Sequence, residues 1–566
     1  MTGEDRIKIV SEDYADLILD YRNNPKRIEE FKDSFLHIIN ETYAEVFIPV
    51  AQFTQQSIFL FGYSAIPNLF GLTSQASLEA SGVYELRRMP NFNLRGEGVL
   101  IGIVDTGINY ISPAFLKADG TTKIMSIWDQ TIQSEGGSPF ATGYGTEYLA
   151  EQINQALVNE NPLEIVPSMD ENGHGSMLAA IAAGTESSEN DFFGVAPDSE
   201  IVVVKLKPAK EYLKRYLSVP EDVLCYQEND IMWGVQYCFQ VSRQVRKPIV
   251  ICIGIGTSQD SHDGRSPLSI MVSSLGDFPR VGIVTSIGNE GNLGRHYRGA
   301  IDPSIGYTTV ELNVGENDSG FTIQLWGDSP EIYSIDITSP SGEYIPRIAV
   351  SLRVAREISF IFEETIIYID YRIVESETGD QLILLRFFNT AAGIWRFKVY
   401  GQGDLVGGFN MWLPMGDMIT VDTYFIEPDI YTTVLSPGAA MVPITVTAYN
   451  PVTGTLFVNA SRGYSRSNNI KPDLAAPGVN YIAPNLNGEY VTFTGTGVAA
   501  AHMAGIVALV LEWGIVKGNQ PTLDTVEIKK ILIRGAKRSK NLIYPNRDWG
   551  YGIVDIYNVY NVLRQV

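Results

Sequence analysis

Basic side chains and cysteines are both scarce in this sequence. Its 42 Lys and Arg residues are outnumbered by 65 Asp and Glu, which gives a formal net charge of −23 at pH 7. Nucleic acids and anionic lipids are bound through Lys and Arg, so this balance argues against both kinds of partner. The three cysteines, Cys225, Cys238 and Cys252, lack metal-ligand spacing, and we expect buried free thiols without a disulfide framework.

Long hydrophobic runs are also rare. The longest, Val498 to Trp513, contains His502 and falls short of the roughly 20 apolar residues of a membrane span. Residues 1–5 show neither the basic nor the apolar region of a secretory signal. We therefore expect no transmembrane segment, no membrane partner and no signal peptide. Neither a calcium loop nor another ligand cluster is visible, so we also expect no metal and no required cofactor.

The remaining composition is that of a well-packed globular protein. Of the 566 residues, 45% are hydrophobic and 19% are charged, which indicates two to four domains. Residues 1–75 are interpreted as a small α/β domain, with helices at Tyr14–Tyr21 and Ile28–Ile39 and strands at Glu45–Val50 and Ser57–Gly62. A turn-rich segment from Pro67 to Gly82 follows, and it is an accessible place for a processing junction.

Several apolar strands alternate with helical segments in the next part of the chain. The run Val99–Val104 ends in Asp105, which predicts a buried parallel strand with its acid at the carboxyl edge. By itself such an aspartate is more often a turn or cap residue than a catalytic one. Further on, His174 precedes an Ala-rich helix, and a strand near residue 285 leads into Asn289. The alternation predicts an α/β fold with a doubly wound, mostly parallel sheet.

The pattern changes between residues 305 and 427. About eight short alternating segments, including one at Ile348–Leu352, are separated by turn clusters, and no helical run occurs. This predicts an inserted all-β domain, an antiparallel sandwich or jelly roll. The α/β pattern then resumes, which divides the chain into 1–75, 76–304, 305–427 and 428–566.

A small-residue loop enters a second Ala-rich helix at residues 495–505. The sequence there is Gly-Thr-Gly-Val-Ala-Ala-Ala-His-Met-Ala-Gly, and such a helix start directs backbone N–H groups at whatever lies beside it. Together with the blocks at 104–108, 173–176, 288–292 and 471–479, this stretch resembles the subtilisin-like serine proteases (subtilases, peptidase S8). In that family a serine nucleophile stands where this chain has Gly497.

The resemblance implies a role for each matching residue. His174 would be the general base, Asp105 would orient it, and Asn289 would donate to the oxyanion. The glycines Gly254, Gly256 and Gly288 would line the substrate pocket, and His502 would be structural. Residues 1–75 would be a prodomain that occupies the cleft and ends near a junction at Gln75.

The architecture is similar, more narrowly, to the germination proteases (Csp proteins) of spore-forming clostridia, some of which are pseudoproteases. That resemblance implies a cytoplasmic or spore-associated protein with its own prodomain, a peptide or a signalling protein as partner. Two interpretations of Gly497 stay open. One is a pseudoprotease that binds peptide and signals in germination. The other is an active serine endopeptidase whose serine was replaced by engineering.

Overall fold

The computed structural model describes residues 3–29, 31, 34–73, 94–134, 137–139, 142–348, 350, 352–403 and 407–564. The first part is a small unit whose three-stranded antiparallel sheet has the order β1-β3-β2. Its elements are α1 (Gly3–Val10), β1 (Tyr14–Asp20), α2 (Pro25–Glu29), β2 (Phe35–Ile38), β3 (Tyr43–Pro49), α3 (Ser57–Phe61) and β4 (Leu69–Leu72).

Three of the four elements predicted in this unit are wrong. The predicted helix Tyr14–Tyr21 is strand β1, the predicted helix Ile28–Ile39 gives way to β2, and the predicted strand Ser57–Gly62 is helix α3. In β1, Leu17 and Ile18 face two different hydrophobic clusters. Because both faces of the strand are buried, the alternation that would identify a strand is absent from its sequence.

The central part of the chain forms an eight-stranded sheet of order β25-β24-β12-β10-β5-β8-β6-β7. All its pairings are parallel except β6 with β7. The elements before the insert are β5 (Leu100–Asp105), β6 (Ile124–Asp129), β7 (Thr146–Leu149), α4 (Ala150–Leu157), α5 (His174–Ala183), β8 (Glu200–Lys205), α6 (Glu211–Leu217), β9 (Tyr226–Gln227), α7 (Glu228–Val245), β10 (Ile249–Ile253), β11 (Ile255–Gly256), α8 (Pro267–Gly276) and β12 (Val281–Ser286).

The insert contains two antiparallel sheets, of order β13-β22-β15-β20-β19-β18 and β17-β16-β21-β14-β23. Residues of both sheets share one buried cluster, which includes Ile323 of β15 and Phe397 of β21. The strands are β13 (His296–Ala300), β14 (Tyr307–Val314), β15 (Gly320–Gly327), β16 (Ile332–Thr338), β17 (Tyr344–Ile345), β18 (Arg353–Ser359), β19 (Ile366–Arg372), β20 (Gln381–Phe388), β21 (Gly393–Gln402), β22 (Gly408–Trp412) and β23 (Tyr424–Phe425).

Two details of the insert differ from the sequence interpretation. Strand β13 already pairs with β22, so the sheets begin before residue 305. The segment predicted as a strand at Ile348–Leu352 has no strand among its described residues, and β18 follows it instead. Ile348 is buried in the shared cluster, so its apolar character reflects packing against the two sheets and does not require that it pair in a strand.

The final part completes the eight-stranded sheet and covers it with helices. Its elements are β24 (Ile444–Tyr449), β25 (Leu474–Pro477), β26 (Tyr481–Pro484), β27 (Tyr490–Phe493), α9 (Thr496–Leu511), α10 (Thr525–Gly535) and α11 (Ile556–Arg564). Helices α5 and α9 contribute to one hydrophobic cluster, and α7 and α8 contribute to another. The prediction of a mostly parallel α/β sheet is therefore confirmed.

Helix α9 is the most apolar helix of the protein. With its continuation to Val516 it is long and apolar enough to cross a membrane by length and composition, but 89% of its most apolar window is buried inside the protein. A central helix of a folded domain passes the same test, so this segment is weak support for a membrane span. The three cysteines are free and buried, as expected, and burial raises the pKa of Cys225 to about 11.

Buried charges join the N-terminal unit to the central domain. Lys210 Nζ lies 2.6 Å from Asp16 Oδ1, and both side chains are at most 3% exposed. The other oxygen of Asp16 accepts a hydrogen bond from Gln227 Nε2 at 2.9 Å. On β3, Glu45 accepts bonds of 2.7 Å from Asn229 Nδ2 and from Trp233 Nε1. Each buried carboxylate thus has partners on the other unit, which specifies one docked position.

We predict that Asp16→Ala lowers the free energy of unfolding by about 3–5 kcal/mol, because it leaves the buried Lys210 ammonium without its counter-charge. The matched control is Arg22→Ala in the same unit. Arg22 is 66% exposed where it contacts Asp20, so its loss should cost less than about 1 kcal/mol. Urea denaturation followed by circular dichroism measures both, and equal effects of the two substitutions would contradict the prediction.

Candidate active site

The fold places Asp105 at the point where the strand order reverses. The chain builds β6, β7 and β8 on one side of β5 and then β10, β12, β24 and β25 on the other. Ligands of open α/β sheets bind beyond the carboxyl ends of the strands at such a point. Asp105 is the last residue of β5 and is fully buried, with Oδ1 accepting a bond of 2.8 Å from the Thr106 amide.

His174 reaches Asp105 because its helix begins there. The loop before α5 is held by Asp170, whose Oδ1 accepts bonds from the amides of Asn172 and Gly173. His174 Nδ1 then lies 2.6 Å from Asp105 Oδ1. The other ring nitrogen, Nε2, is buried and has no hydrogen-bond partner among the described residues.

The start of α9 lies beside this pair and is fixed by Asn289. Asn289 Oδ1 accepts bonds from the Thr496 amide at 3.2 Å and from Thr496 Oγ1 at 3.0 Å. The same hydroxyl accepts a bond of 3.1 Å from the Gly288 amide. Because the Asn289 carbonyl oxygen is used in this way, its Nδ2 group remains as the donor. The site thus has an oriented amide next to the amino end of a helix, an arrangement that suits a negative oxygen.

The end of the N-terminal unit occupies this site as a strand. Strand β4 pairs with β11 on one side, where Leu72 faces Ile255, and with β9 on the other, where Phe70 faces Tyr226. The next residue, Thr73, accepts a hydrogen bond of 2.5 Å from the Gly497 amide through its carbonyl oxygen. Its hydroxyl donates to the Gly254 carbonyl and lies 2.9 Å from Ser286 Oγ.

Two of the three glycines predicted to bind substrate, Gly254 and Gly256, lie beside this strand. Gly256 pairs with Gly71 of β4, and Gly254 accepts the Thr73 hydroxyl. A Cβ built on Gly254 would lie 3.4 Å from His174 Cε1, so the two parts of the site are adjacent. The predicted junction residue, Gln75, lies outside the described residues.

Sequence reasoning missed Thr73 and the position of Leu435 between the predicted pocket glycines. Leu435 is buried and lies 3.1 Å from a Cβ built on Gly256, and it also blocks the position of a Cβ on Gly288. It therefore fills space between the two glycine-containing segments. An open cleft of about 470 Å³ remains beside Leu72 and His174, and its lining includes Asn289 and Leu486. No sequence motif marks Leu435, because it precedes a loop that lies far from both glycines in the chain.

A clamp at the other end of β4 was also missed. Glu228 Oε2 accepts bonds from the amide of Asn68 at 3.2 Å and from its Nδ2 at 3.0 Å, while Oε1 accepts from Leu268 N. Burial raises the pKa of Glu228 to about 7, although these donors favour its charged form. The first residue of α7 thus holds the residue that precedes the docked strand.

Gly497 brings neither a hydroxyl nor a thiol to the start of α9. A serine or cysteine nucleophile is activated by a hydrogen bond to a base such as His174 Nε2, and Gly497 carries no such group. The nearby hydroxyls have other partners: Thr73 Oγ1 contacts Gly254 and Ser286, and Thr496 Oγ1 contacts Asn289. Within the described ranges, no group of three or more His, Cys, Asp or Glu side chains could hold a metal ion.

We predict that the protection of the β4 amides against hydrogen exchange decreases as pH rises from about 5 to 7. Folding buries Glu228 and raises its pKa from the ordinary 4.5 to about 7, so between these values the folded chain keeps a proton that the unfolded chain has lost. The folded state therefore loses this stabilisation as pH rises through this window, and the contribution is constant above it. Hydrogen exchange of the Leu69–Leu72 amides, corrected for intrinsic rates, measures this dependence.

The matched control for this prediction is Glu228→Gln, which cannot titrate. Its pH dependence of protection should be flatter than that of the unsubstituted chain. A variant that kept the full pH dependence would show that another group controls the pH dependence of this protection.

Comparisons with known proteins agree with this geometry. Residues 96–310 and 428–552 match the Peptidase_S8 profile of the subtilase family. The solved structure of the Clostridium perfringens CspB protease is 30% identical, with a TM-score of 0.76, and the match covers 86% of this chain and 96% of that one. The Arabidopsis thaliana subtilisin-like protease SBT3.1 is 22% identical over 478 residues, 78% of this chain and 56% of the plant protein.

A further relative is an uncharacterized protein of Aquifex aeolicus. It is 31% identical over 170 residues, which are 25% of this chain and 73% of the relative. This chain therefore spans most of the bacterial relative's length but little more than half of the plant protease's. Because the profile matches more than half of the chain, on both sides of the insert, the chain belongs to the subtilase family.

Proposed function

We propose that this subtilase is a pseudoprotease that holds a peptide segment, its own residues 69–73, in the cleft without cutting it. The observation that carries the proposal is the pair of contacts at the end of β4. The Thr73 carbonyl is bound by the Gly497 amide, and His174 Nε2 lacks a hydroxyl partner among the residues described. The cleft therefore has a donor that binds and polarises a peptide carbonyl, but it has no side chain that could attack that carbonyl.

In this proposal the site residues keep the positions that they have in a protease, but the nucleophilic attack on the peptide bond cannot occur. Asp105 and His174 form the base pair, Asn289 Nδ2 and the Gly497 amide are the oxyanion donors, and Gly497 replaces the nucleophile. Loss of the serine costs about 10⁶-fold in turnover in subtilisin, the worked case from which this magnitude is taken. Residual attack by water at that level is negligible for processing.

The N-terminal unit is proposed to be a prodomain that stays attached. Buried pairs such as Lys210 with Asp16, and hydrogen bonds such as Asn229 with Glu45, fix it to the central domain. Its strand β4 enters the cleft antiparallel to β9 and β11, which is how extended peptides add to a sheet edge. Many of these contacts would have to break for the unit to leave.

The insert is proposed to be a jelly roll that ties the units together. Its first four strands alternate between the two sheets, since β13 and β15 lie in one and β14 and β16 in the other. Its Arg386 donates to the Gln55 carbonyl at 2.6 Å and to Asp370 at 2.9 Å, and lies 4.0 Å above the Tyr216 ring. One side chain therefore contacts the insert, the N-terminal unit and the central domain.

The likeness to the CspB protease supports a Csp-type assignment for this chain. We propose that it acts in spore germination, as a cytoplasmic or spore-associated protein that relays a signal by binding its prodomain, a peptide or another protein. Thr73 indicates the class of peptide: its hydroxyl contacts Gly254 and Ser286, so a small hydroxylated residue fits this position.

A second candidate is an active serine endopeptidase from which the nucleophile was removed. The intact contact of 2.6 Å between His174 Nδ1 and Asp105 Oδ1 favours this candidate, because a protease needs the same pair. The two candidates differ in what a serine at position 497 would do.

We predict that the unsubstituted chain and its Gly497→Ser variant both remain full length. Neither should release residues 1–73, because Gly497 carries no nucleophile and a serine side chain at 497 would overlap the Thr73 carbonyl and displace the strand. Intact mass after purification and prolonged incubation measures this directly.

Cleavage of the variant after Thr73 would instead favour the second candidate. The control is then Gly497→Ser combined with His174→Ala. If the cut disappears in the double variant, it comes from the chain's own site. If it persists, a contaminating protease made it and the pseudoprotease proposal is retained.

A further inference from the structure

Position 497 lies closer to the bound strand than any residue with a side chain allows. A Cβ built on Gly497 would overlap the Thr73 carbonyl oxygen and would lie 2.9 Å from its carbonyl carbon and 3.0 Å from its Oγ1. Cβ contacts under 3.0 Å are essentially absent from proteins, and the obstacle here is backbone, which cannot rotate away. All three nearest atoms belong to Thr73.

Neither side of this contact has room to retreat. Every residue of α9 from Thr496 to Leu511 is buried, so the helix is fixed by its surroundings. The strand is held by β9 and β11, and Glu228 clamps Asn68 behind it. A side chain at 497 would therefore have to displace the end of the strand.

We propose that Gly497 is a binding determinant of the cleft, which admits the carbonyl of an uncut extended peptide to a depth that any side chain at 497 excludes. This inference rests on the proposed function and explains why the peptide stays bound. The same absence that removes the nucleophile creates the space in which the Thr73 carbonyl meets the helix amide. Loss of hydrolysis and gain of stable peptide binding are then a single structural change.

The proposal predicts a change in melting temperature for Gly497→Ala that is opposite in sign to the change expected from helix propensity. Alanine is a better helix former than glycine, so Gly497→Ala would raise the melting temperature if no ligand group occupied the space. With Thr73 seated there, the same substitution should instead lower it and release the strand. Alanine also carries no nucleophile, so release cannot be a result of cleavage.

The test is hydrogen exchange with mass spectrometry on the full chain and on Gly497→Ala and Gly497→Ser. We expect amides of Phe70–Thr73 to exchange at least tenfold faster in both variants, with β1 and β3 unchanged. The matched control is Asn487→Ala, an exposed residue on the same cleft, which should leave the strand protected. Equal protection in Gly497→Ala and the unsubstituted chain overturns the inference.

If Gly497→Ala folds poorly, the same substitution is tested in a second variant chain whose strand β4 is already weakened. In a chain with Phe70→Gly and Leu72→Gly the strand loses its anchoring side chains, so alanine at 497 should no longer lower the melting temperature. An equal loss in both backgrounds overturns the inference, because the clash would then lie elsewhere. Absence of protection at residues 70–73 in the unsubstituted chain would overturn both the proposed function and this inference.

Discussion

The hydrogen bond from the Gly497 amide to the Thr73 carbonyl joins the end of the N-terminal unit to the first turn of helix α9. It ends a strand that pairs with the central domain on both edges, and it satisfies an amide at the start of a helix that would otherwise lack a partner. Because the helix dipole favours a partial negative charge there, a carbonyl oxygen is a suitable ligand. This hydrogen bond thus holds the end of the N-terminal unit in the cleft.

Buried charged side chains determine how the N-terminal unit, the central domain and the insert pack together. Asp16 and Glu45 are almost inaccessible, and groups of the central domain such as Lys210 and Asn229 compensate them. His37 of the N-terminal unit also lies 3.5 Å from Glu45. Buried pairs add little net stability compared with apolar contacts, but an unpaired member is costly. A shift of the N-terminal unit would break several pairs together, so these contacts specify its register more than they strengthen it. Arg386 extends the same constraint to the insert.

The Asp105–His174 pair has a structural reason to exist apart from hydrolysis. Asp105 is fully buried at the end of β5, and its Oδ1 is compensated by His174 and by the Thr106 amide. Without the imidazole this fully buried carboxylate would lose a charge-stabilising donor. An intact pair is therefore compatible with a chain that no longer cuts peptides. The subtilase geometry can serve as a peptide-binding cleft whose base is part of the wall.

The sequence alone predicted the central sheet, and its resemblance to subtilases selected the residues of the candidate site. Apolar runs ending at Asp105 and near Asn289, and small-residue helix starts at His174 and Gly497, are local patterns that predict strands and helices without distant contacts. It did not reveal β1, because both faces of that strand are buried, nor β4 and Thr73. Strand β4 exists only because it pairs with β9 and β11, more than 150 residues away in the chain. Only tertiary structure could place a backbone carbonyl in the space that Gly497 leaves, since hydrogen bonding between distant segments leaves no periodic trace in either one.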